Sequence, residues 1–196
     1  ICEETGADIE EVSKAIGMDS RIGKSFLKTS VGFGGSCFQK DILNLVYIAR
    51  SLGLEKVADY WEQILTINEH QRNRFSEKII QCIINRDLIP KVLLLGWAFK
   101  KNTNDTRESA AIYVADQLID EQATIKVYDP KVSGAQMQSD LNYLNKRTEA
   151  ENKNYLQTET DPYKALGGAH AIAVLTEWDE FRTYDWQRIY DNMQQP

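Results

Sequence analysis

The pattern that most constrains the fold lies between residues 92 and 128, where two short apolar runs flank a helical pattern. Residues 92–95 and 125–128 are typical of buried strands, and residues 109–121 carry apolar side chains at helical spacing. Strand, loop, helix and strand in this order form a βαβ unit, which implies a parallel sheet. A third apolar run, residues 171–175, predicts another buried strand. The sequence therefore predicts an α/β fold.

The chain before residue 90 predicts only helices. Asp8 precedes a helical pattern over residues 9–16 as a cap residue, and a second pattern runs from Ile42 to near Gly53. From Glu55 to about Asn85 there is neither glycine nor proline, which predicts a helix of roughly 45 Å. Such a helix is typical of a spine between domains or of a subunit contact. The alternative is a break in its polar middle, residues 68–73.

The remaining segments carry weaker signals. Residues 133–161 are polar and lack a strong period, so we expect a surface excursion there. Residues 186–193 predict a last helix. We place the domain boundary between residues 89 and 90, which gives a helical domain at 1–89 and a parallel-sheet domain at 90–196.

Composition excludes several classes of protein. The 196 residues carry a net charge of −6, which argues against a surface for nucleic acid or an anionic membrane. The cysteines Cys2, Cys37 and Cys82 form no disulfide framework, which favours a reducing compartment, here the cytoplasm. The longest apolar run, residues 92–99, is too short to span a bilayer. Because the chain begins at Ile1 and ends at Pro196, we expect both ends to be cut from a longer protein.

A glycine-rich stretch before a cysteine is the first candidate site. Gly32, Gly34 and Gly35 precede Cys37, and an amphipathic helix pattern follows. Glycines let a backbone approach a ligand closely, and the start of a helix favours a thiolate. Asp41 lies one helical turn further on, where a carboxylate could handle water or protons. The alternatives are a plain glycine turn and a cysteine that serves only packing.

A basic loop after the first strand is the second candidate site. It lacks the G-x-G-x-x-G pattern, but Lys100, Lys101 and Arg107 could hold a diphosphate by charge at the carboxyl end of a strand. The alternative is a solvated basic loop. Neither His70 nor His170 lies near Cys37 in sequence, so a Cys–His dyad has no support. No metal is expected.

Three separated motifs resemble one known family. They are G-F-G-G-S-C-F-Q-K-D at residues 32–41, G-W-A-F-K-K-N-T-N-D-T-R-E-S at 96–109 and V-Y-D-P-K-V at 127–132. Together they resemble the UDP-glucose/GDP-mannose dehydrogenase family, in the form of its UDP-glucose 6-dehydrogenases of animals and plants. The resemblance runs along the whole chain.

The resemblance implies an architecture and an activity. It implies a central helical dimerisation domain followed by a Rossmann-like domain that binds the UDP-sugar, with the N-terminal NAD-binding domain of the family absent from this chain. The intact protein would oxidise UDP-glucose to UDP-glucuronate with two NAD, through a thiohemiacetal and a thioester on a cysteine. It would be a homodimer through the helical domain and a hexamer built as a trimer of dimers.

The resemblance also assigns roles to residues. Cys37 would be the nucleophile, and Asp41 would position or activate water. The residues assigned to the sugar nucleotide are Arg21, Lys28, Thr29, Ser30, Val31, Gly32, Phe33, Gly34, Phe99 and Lys100, of which Arg21 would reach the substrate of a neighbouring subunit. The residues assigned to NAD are Cys37, Phe38, Gln39, Lys40 and Arg107.

The chain departs from the family pattern at three positions of the basic loop. Trp97 stands where phenylalanine is commoner, and Asn102 and Asn104 stand where aspartate and glycine are expected. Two other functions stay open. One is a sibling enzyme for UDP-N-acetylmannosamine or GDP-mannose, although F-Q-K-D after Cys37 favours the glucose enzyme. The other is a dimerising, sugar-nucleotide-binding module without turnover, which we expect of the 196-residue chain in isolation.

Overall fold

The structure, a computed structural model, describes residues 1–83, 89–165 and 167–194. It divides into two compact units, Ile1–Ser30 and Val31–Pro196, and each is described by itself. The predicted domain boundary after residue 89 falls inside the second unit, and it stays a prediction.

The first unit contains two short helices, α1 (Cys2–Thr5) and α2 (Ile9–Ile16). Asp8 caps α2, because its side chain accepts a hydrogen bond of 2.8 Å from the backbone N–H of Glu10. Helix α2 ends at Gly17, as its sequence pattern predicts.

The second unit begins with two long helices, α3 (Phe38–Ser51) and α4 (Glu55–Ile83). They share a small core formed by Ile42, Val46, Ala49 and Ala58, with Phe33, Trp61, Ile64 and Leu65 packed against it. Helix α4 continues without a break through its polar middle, and its 29 residues span roughly 44 Å. The predicted end near Asn85 lies outside the described residues.

A parallel sheet follows. Its strands are β1 (Lys91–Leu95), β2 (Thr124–Tyr128), β3 (Leu156–Thr158) and β4 (Ala171–Val174), in the order β3-β2-β1-β4. Helix α5 (Ala110–Asp120) connects β1 to β2. Strand β1 pairs on one side with β2 and on the other with β4. The order in which strands are added to the sheet therefore reverses at β1. In such sheets, ligands bind at the carboxyl ends of the strands beside this point. The predicted α/β fold is confirmed.

The predicted surface excursion at residues 133–161 is wrong. This segment forms helices α6 (Gly134–Tyr143) and α7 (Glu149–Tyr155) and then the edge strand β3. Met137, Leu141 and Leu156 are each only 1% exposed and join the core of the sheet. The helical period of this segment was not visible in the sequence, because few of its side chains are both apolar and buried. Strand β3, with three residues, is too short to show an alternating pattern.

The chain closes the fold with short elements. They are α8 (Pro162–Ala165), a 3-10 helix (Asp179–Thr183) and α9 (Trp186–Asp191). The end of α4 also reaches the core of the sheet, since Ile79 and Ile83 are buried there with Leu94 and Val114. One helix thus contributes to both cores of the second unit. Across the described ranges, each helix is either too short or too polar to cross a bilayer.

Candidate functional site

The glycine loop, residues 31–36, lies against the loop that follows β1. A Cβ atom at Gly34 would stand 2.4 Å from the backbone oxygen of Glu108, a distance that no side chain tolerates. Gly35 has a φ of +90°, and its N–H donates a 2.8 Å hydrogen bond to the Arg107 carbonyl. The ring of Phe99 covers Gly35 on its other side. These positions require glycine because two backbones touch here.

Helix α4 holds the same loop from behind. The buried side chain of Asn68 accepts a 2.8 Å hydrogen bond from the N–H of Phe33 and donates one of 3.1 Å to the carbonyl of Phe33. Both functions of one amide are therefore used on one residue of the glycine loop. These two hydrogen bonds fix the glycine loop to helix α4.

Cys37 follows at the start of α3, as predicted. It occupies the N-cap position, its side chain is exposed, and its Sγ lies 3.6 Å from the hydroxyl of Ser36. The Cys37 carbonyl accepts from the N–H of Asp41, so the two residues stand one helical turn apart. The Asp41 carboxylate accepts a 2.8 Å hydrogen bond from Lys40 Nζ. An accessible thiol thus shares the first turn of a helix with a carboxylate and an amine.

Two cations lie within the electrostatic reach of Cys37. The pKa of Lys40 is raised, first by its hydrogen bond to Asp41 and, more weakly, by the negative charge of the Cys37 thiolate. The pKa of Arg107 is raised in the same way, first by its hydrogen bonds to Asp105 and then by the charge of Cys37. Asp105 fixes Arg107, since its carboxylate accepts from the backbone N–H, from Nε and from Nη2. The basic loop therefore presents an oriented arginine to the cysteine.

The loop after β1 is held at its beginning by Asp129. One carboxylate oxygen, Oδ2, accepts from the N–H groups of Trp97 and Ala98 at 2.6 and 3.0 Å, and from the indole of Trp178 at 3.0 Å. From this anchor the chain presents the half-buried Phe99 and the exposed Lys100. Lys100 Nζ lies 5.2 Å from the Phe99 ring centroid. The substrate residues predicted on this loop therefore lie at the carboxyl end of β1.

The departures from the family pattern have local explanations for two of the three positions. The indole of Trp97 is fully buried and donates a 2.8 Å hydrogen bond to Asp140 on α6, so the larger ring has both space and a partner. Asn102 has a φ of +65°, a conformation that asparagine tolerates better than most residues. Nothing in the structure explains Asn104.

A cleft of about 530 Å³ opens between the start of α3, the loop at residues 106–108, α5 and α6. Of the residues assigned to NAD, it contains Gln39, Lys40 and Arg107. Phe38 lies beside it on α3 with an exposed ring, 4.8 Å from the ring of Phe33. The cleft is thus bordered by two cations and an amide, and also by the carboxylates of Glu108 and Asp140. Its cationic side suits an anionic ligand with polar edges.

Four of the predicted residues belong to the first unit. Arg21, Lys28, Thr29 and Ser30 are all exposed there, and Arg21 forms a 2.6 Å ion pair with Asp19. The second unit brings together the remaining predicted residues. Those are Val31, Gly32, Phe33, Gly34, Cys37, Phe38, Gln39, Lys40, Asp41, Phe99, Lys100 and Arg107.

Sequence reasoning missed the residues that support the site, above all Asn68, Arg72, Glu108, Tyr113 and Asp129. A signal for two of them was visible, because Asn68 and Arg72 interrupt the apolar pattern of α4 with polar side chains that turn out to be buried. Within the described stretches, no group of three or more His, Cys, Asp or Glu side chains is placed to hold a metal ion.

Two family models match most of the chain. Residues 1–70 match the central domain of the UDP-glucose/GDP-mannose dehydrogenase family, and residues 93–196 match its UDP-binding domain. The chain is 51% identical to a UDP-glucose 6-dehydrogenase of Drosophila melanogaster and 50% identical to UDP-glucose 6-dehydrogenase 4 of Arabidopsis thaliana. Each alignment covers 100% of this chain but only 41% and 43% of the relatives. The chain therefore spans about two fifths of the length of the curated relatives it matches.

Solved structures give the same result. A UDP-glucose dehydrogenase from the archaeon Pyrobaculum islandicum superimposes with a TM-score of 0.76 at 30% identity, over 93% of this chain and 39% of that one. A GDP-mannose dehydrogenase from Pseudomonas aeruginosa superimposes with a TM-score of 0.62 at 22% identity, over 92% of this chain and 40% of that one. The second likeness shows the fold alone.

Proposed function

This chain belongs to the UDP-glucose/GDP-mannose dehydrogenase family, and on that premise we propose that it carries the nucleophile and the sugar-nucleotide site of a UDP-glucose 6-dehydrogenase. One observation carries the proposal. The exposed Cys37 thiol stands at the start of α3, held by a glycine loop that packs against the Phe99–Lys100 segment and beside Arg107. Within the second unit, the proposed nucleophile therefore lies beside residues that we propose for the substrate and for the cofactor.

The proposed chemistry needs a nucleophile whose adduct can be oxidised and then released. The Cys37 thiolate adds to the C6 aldehyde of the sugar and gives a thiohemiacetal, which is oxidised to a thioester. Water then attacks the thioester carbonyl and the C–S bond breaks. The carboxylate product is released, and the Cys37 thiolate is regenerated. Asp41, one turn from Cys37, orients that water or accepts its proton.

NAD would supply the hydride acceptor for both oxidations of C6. Its proposed partners in this chain are Cys37, Phe38, Gln39, Lys40 and Arg107. The donor set fits the group, because Lys40 and Arg107 bring positive charge to the cleft and Gln39 brings an amide. Lys40 and Arg107 would bind and orient the cofactor.

Within the second unit, the sugar nucleotide is proposed to lie along residues 31–34 and 99–100, and the assignment of Lys28, Thr29 and Ser30 to it stays a prediction. Lys100 brings a cation and Phe99 an aromatic face, while the backbone of the glycine loop can approach the sugar closely. Arg21 is proposed to act on the substrate of a neighbouring subunit. The exposed state of Arg21, Lys28 and Lys100 is compatible with these roles.

A homodimer through the helical part is proposed as well, assembled further into a hexamer in a reducing cytoplasm. Its support is an apolar surface on α3 and α4 that stays exposed in the single chain. Its members are Tyr47, Ile48, Leu52, Val57, Tyr60 and Ile67, each at least 43% exposed. A monomer rarely leaves so many large apolar side chains together in water.

The test uses the full-length protein that contains this chain. We expect NAD reduction with UDP-glucose and little with GDP-mannose. Cys37→Ser should lower kcat by on the order of a thousandfold while UDP-glucose binding, measured by calorimetry, is retained. Cys82→Ser is the matched control, since Cys82 is also an exposed cysteine but lies far along α4. Equal losses from both variants would refute Cys37 as the nucleophile.

The isolated 196-residue chain gives a second, independent test. It should bind UDP-glucose without reducing NAD, and Lys100→Ala should weaken that binding. Turnover by the isolated chain would overturn this expectation.

A further inference from the structure

Arg72 is a buried cation in the middle of α4, and the proposed chemistry does not use it. Its side chain is 8% exposed, and its Nε and Nη1 atoms have no hydrogen-bond partner in the part of the chain that the structure describes. Burying a guanidinium without full hydrogen bonding is costly, so a folded protein retains such a group only where it makes other contacts.

Those contacts are with two elements that belong to the site. The Arg72 stem packs against the glycine loop, because Cγ would lie 3.3 Å from a Cβ atom at Gly32. The guanidinium lies over the aromatic ring of Tyr113 on α5, with Cζ 3.9 Å from the ring centroid. This is a close cation–π contact in a desolvated place, where such contacts are strongest.

Tyr113 in turn contacts the loop that carries Arg107. Its hydroxyl donates a 2.6 Å hydrogen bond to the carboxylate of Glu108. Burial, and then this bond, raise the pKa of Tyr113 to about 12, so the hydroxyl keeps its proton and stays a donor at neutral pH. Glu108 has a φ of +54°, which is unfavourable for a residue with a side chain and needs support from its surroundings.

Glu108 in turn contacts the glycine loop, against which Arg72 packs. Its backbone oxygen is the atom that touches Gly34, and its neighbour Arg107 accepts the hydrogen bond from Gly35. Arg72, Tyr113, Glu108 and the glycine loop therefore form a closed circuit, which we name the Arg72 ring. We propose that Arg72 is a positioning residue, which through this ring fixes the glycine loop and the Arg107 loop relative to each other.

The inference rests on the proposed function for its catalytic consequence. If the ring is intact, the loop that precedes Cys37 and the loop that carries Arg107 move as one. If it opens, Glu108 loses the bond that supports its strained backbone, and both loops gain freedom. Small displacements of positioned groups cost large factors in rate.

The test opens the ring at two places in the full-length protein. Arg72→Lys keeps the charge and most of the stem but loses the guanidinium over the aromatic ring of Tyr113. Tyr113→Phe keeps the aromatic ring but loses the hydrogen bond to Glu108. Arg74→Lys is the matched control, since Arg74 lies on the same helix and hydrogen-bonds Gln71 instead.

We expect Arg72→Lys and Tyr113→Phe each to lower kcat/KM about tenfold for both UDP-glucose and NAD per folded enzyme, with Arg74→Lys within twofold of wild type. The double variant should lose about as much as one single variant, because both open the same ring. Losses that multiply would overturn the proposal, and so would an Arg72→Lys enzyme that only melts earlier with unchanged kcat and KM.

Hydrogen exchange at the Gly35 amide separates this inference from the proposed function, because it needs no activity. That N–H is bonded to the Arg107 carbonyl, so opening the ring should speed its exchange about tenfold in both variants and leave it unchanged in Arg74→Lys. An inactive wild-type enzyme would refute the function but not the ring. Unchanged exchange in both variants would refute the ring.

Discussion

At the scale of single residues, the site depends on a few polar side chains that each satisfy several backbone groups. Asp129 is the clearest example. Its Oδ1 accepts from the N–H groups of Lys131 and Val132, and its Oδ2 accepts from Trp97, Ala98 and the indole of Trp178. One buried carboxylate thereby joins the ends of β1 and β2 to the segment after β4, and it fixes where Phe99 and Lys100 begin.

Asp129→Asn should therefore destabilise the protein although it is nearly isosteric. An amide can offer only one acceptor oxygen, so its NH₂ group would face N–H donors, and at least two buried donors would lose their partner. We expect a loss of about 2–4 kcal/mol in the free energy of unfolding, measured by urea denaturation. The control is Asp179→Asn, at an exposed ion pair with Lys101, which should leave stability close to wild type. Equal losses would contradict the role given to Asp129.

At the scale of elements, α4 has two functions along one helix. Its apolar side chains belong to two cores, while several polar side chains of its middle contact other segments of the second unit. Asn68 holds the glycine loop, Arg72 covers Tyr113, and Asn73 accepts a short hydrogen bond from Gln117 on α5. The alternative of a helix broken at residues 68–73 is wrong, because these polar residues have partners from distant segments.

Asn68→Asp tests this account of α4. The new carboxylate can still accept from the N–H of Phe33 but cannot donate to its carbonyl, and it would repel that oxygen. We expect UDP-glucose affinity to fall about tenfold, measured by calorimetry on the full-length protein.

Asn73→Asp is the matched control for Asn68→Asp. Asn73 uses its oxygen as the acceptor in the bond from Gln117, so the carboxylate preserves that bond. Affinity should stay within about twofold of wild type. Similar losses at both positions would show that a charge in α4, rather than the hold on Phe33, determines affinity.

At the scale of the whole molecule, the exposed apolar surface of α3 and α4 is the feature without a partner inside the described chain. Val57, Tyr60 and Ile67 recur at spacings of three and seven along α4, so they form one stripe. Ile48 on α3 is 52% exposed, and Leu52, directly after α3, is 68% exposed. A second copy of the chain is the occupant that the proposed function implies.

Ile48→Glu should shift the full-length protein toward smaller species, because a charge would be buried when two copies meet. Sedimentation equilibrium at several concentrations measures the change. Tyr190→Glu is the control, since Tyr190 is 58% exposed but lies on α9, outside α3 and α4. A wild-type protein that stays monomeric at all concentrations would contradict the proposed dimer.

Much of this protein follows from sequence alone. The helices α2 to α5, the strands β1, β2 and β4, and the position of Cys37 at a helix start could all be predicted, because each depends on a local pattern. A period of 3.6 or a short apolar run needs no knowledge of distant residues. The motifs at residues 32–41 and 96–109 likewise identify the family within single stretches of chain.

The contacts that hold those stretches together become visible only in the folded chain. The sequence distance from Phe33 to Asn68 is 35 residues, and from Trp97 to Asp129 it is 32. A polar side chain carries no local sign of its distant partner, so Asn68 and Arg72 looked like interruptions of a helix. Residues 133–161 were missed for a related reason, because their burial depends on a sheet edge formed elsewhere. Local periodicity determined the elements, and long-range hydrogen bonding and packing determined the site.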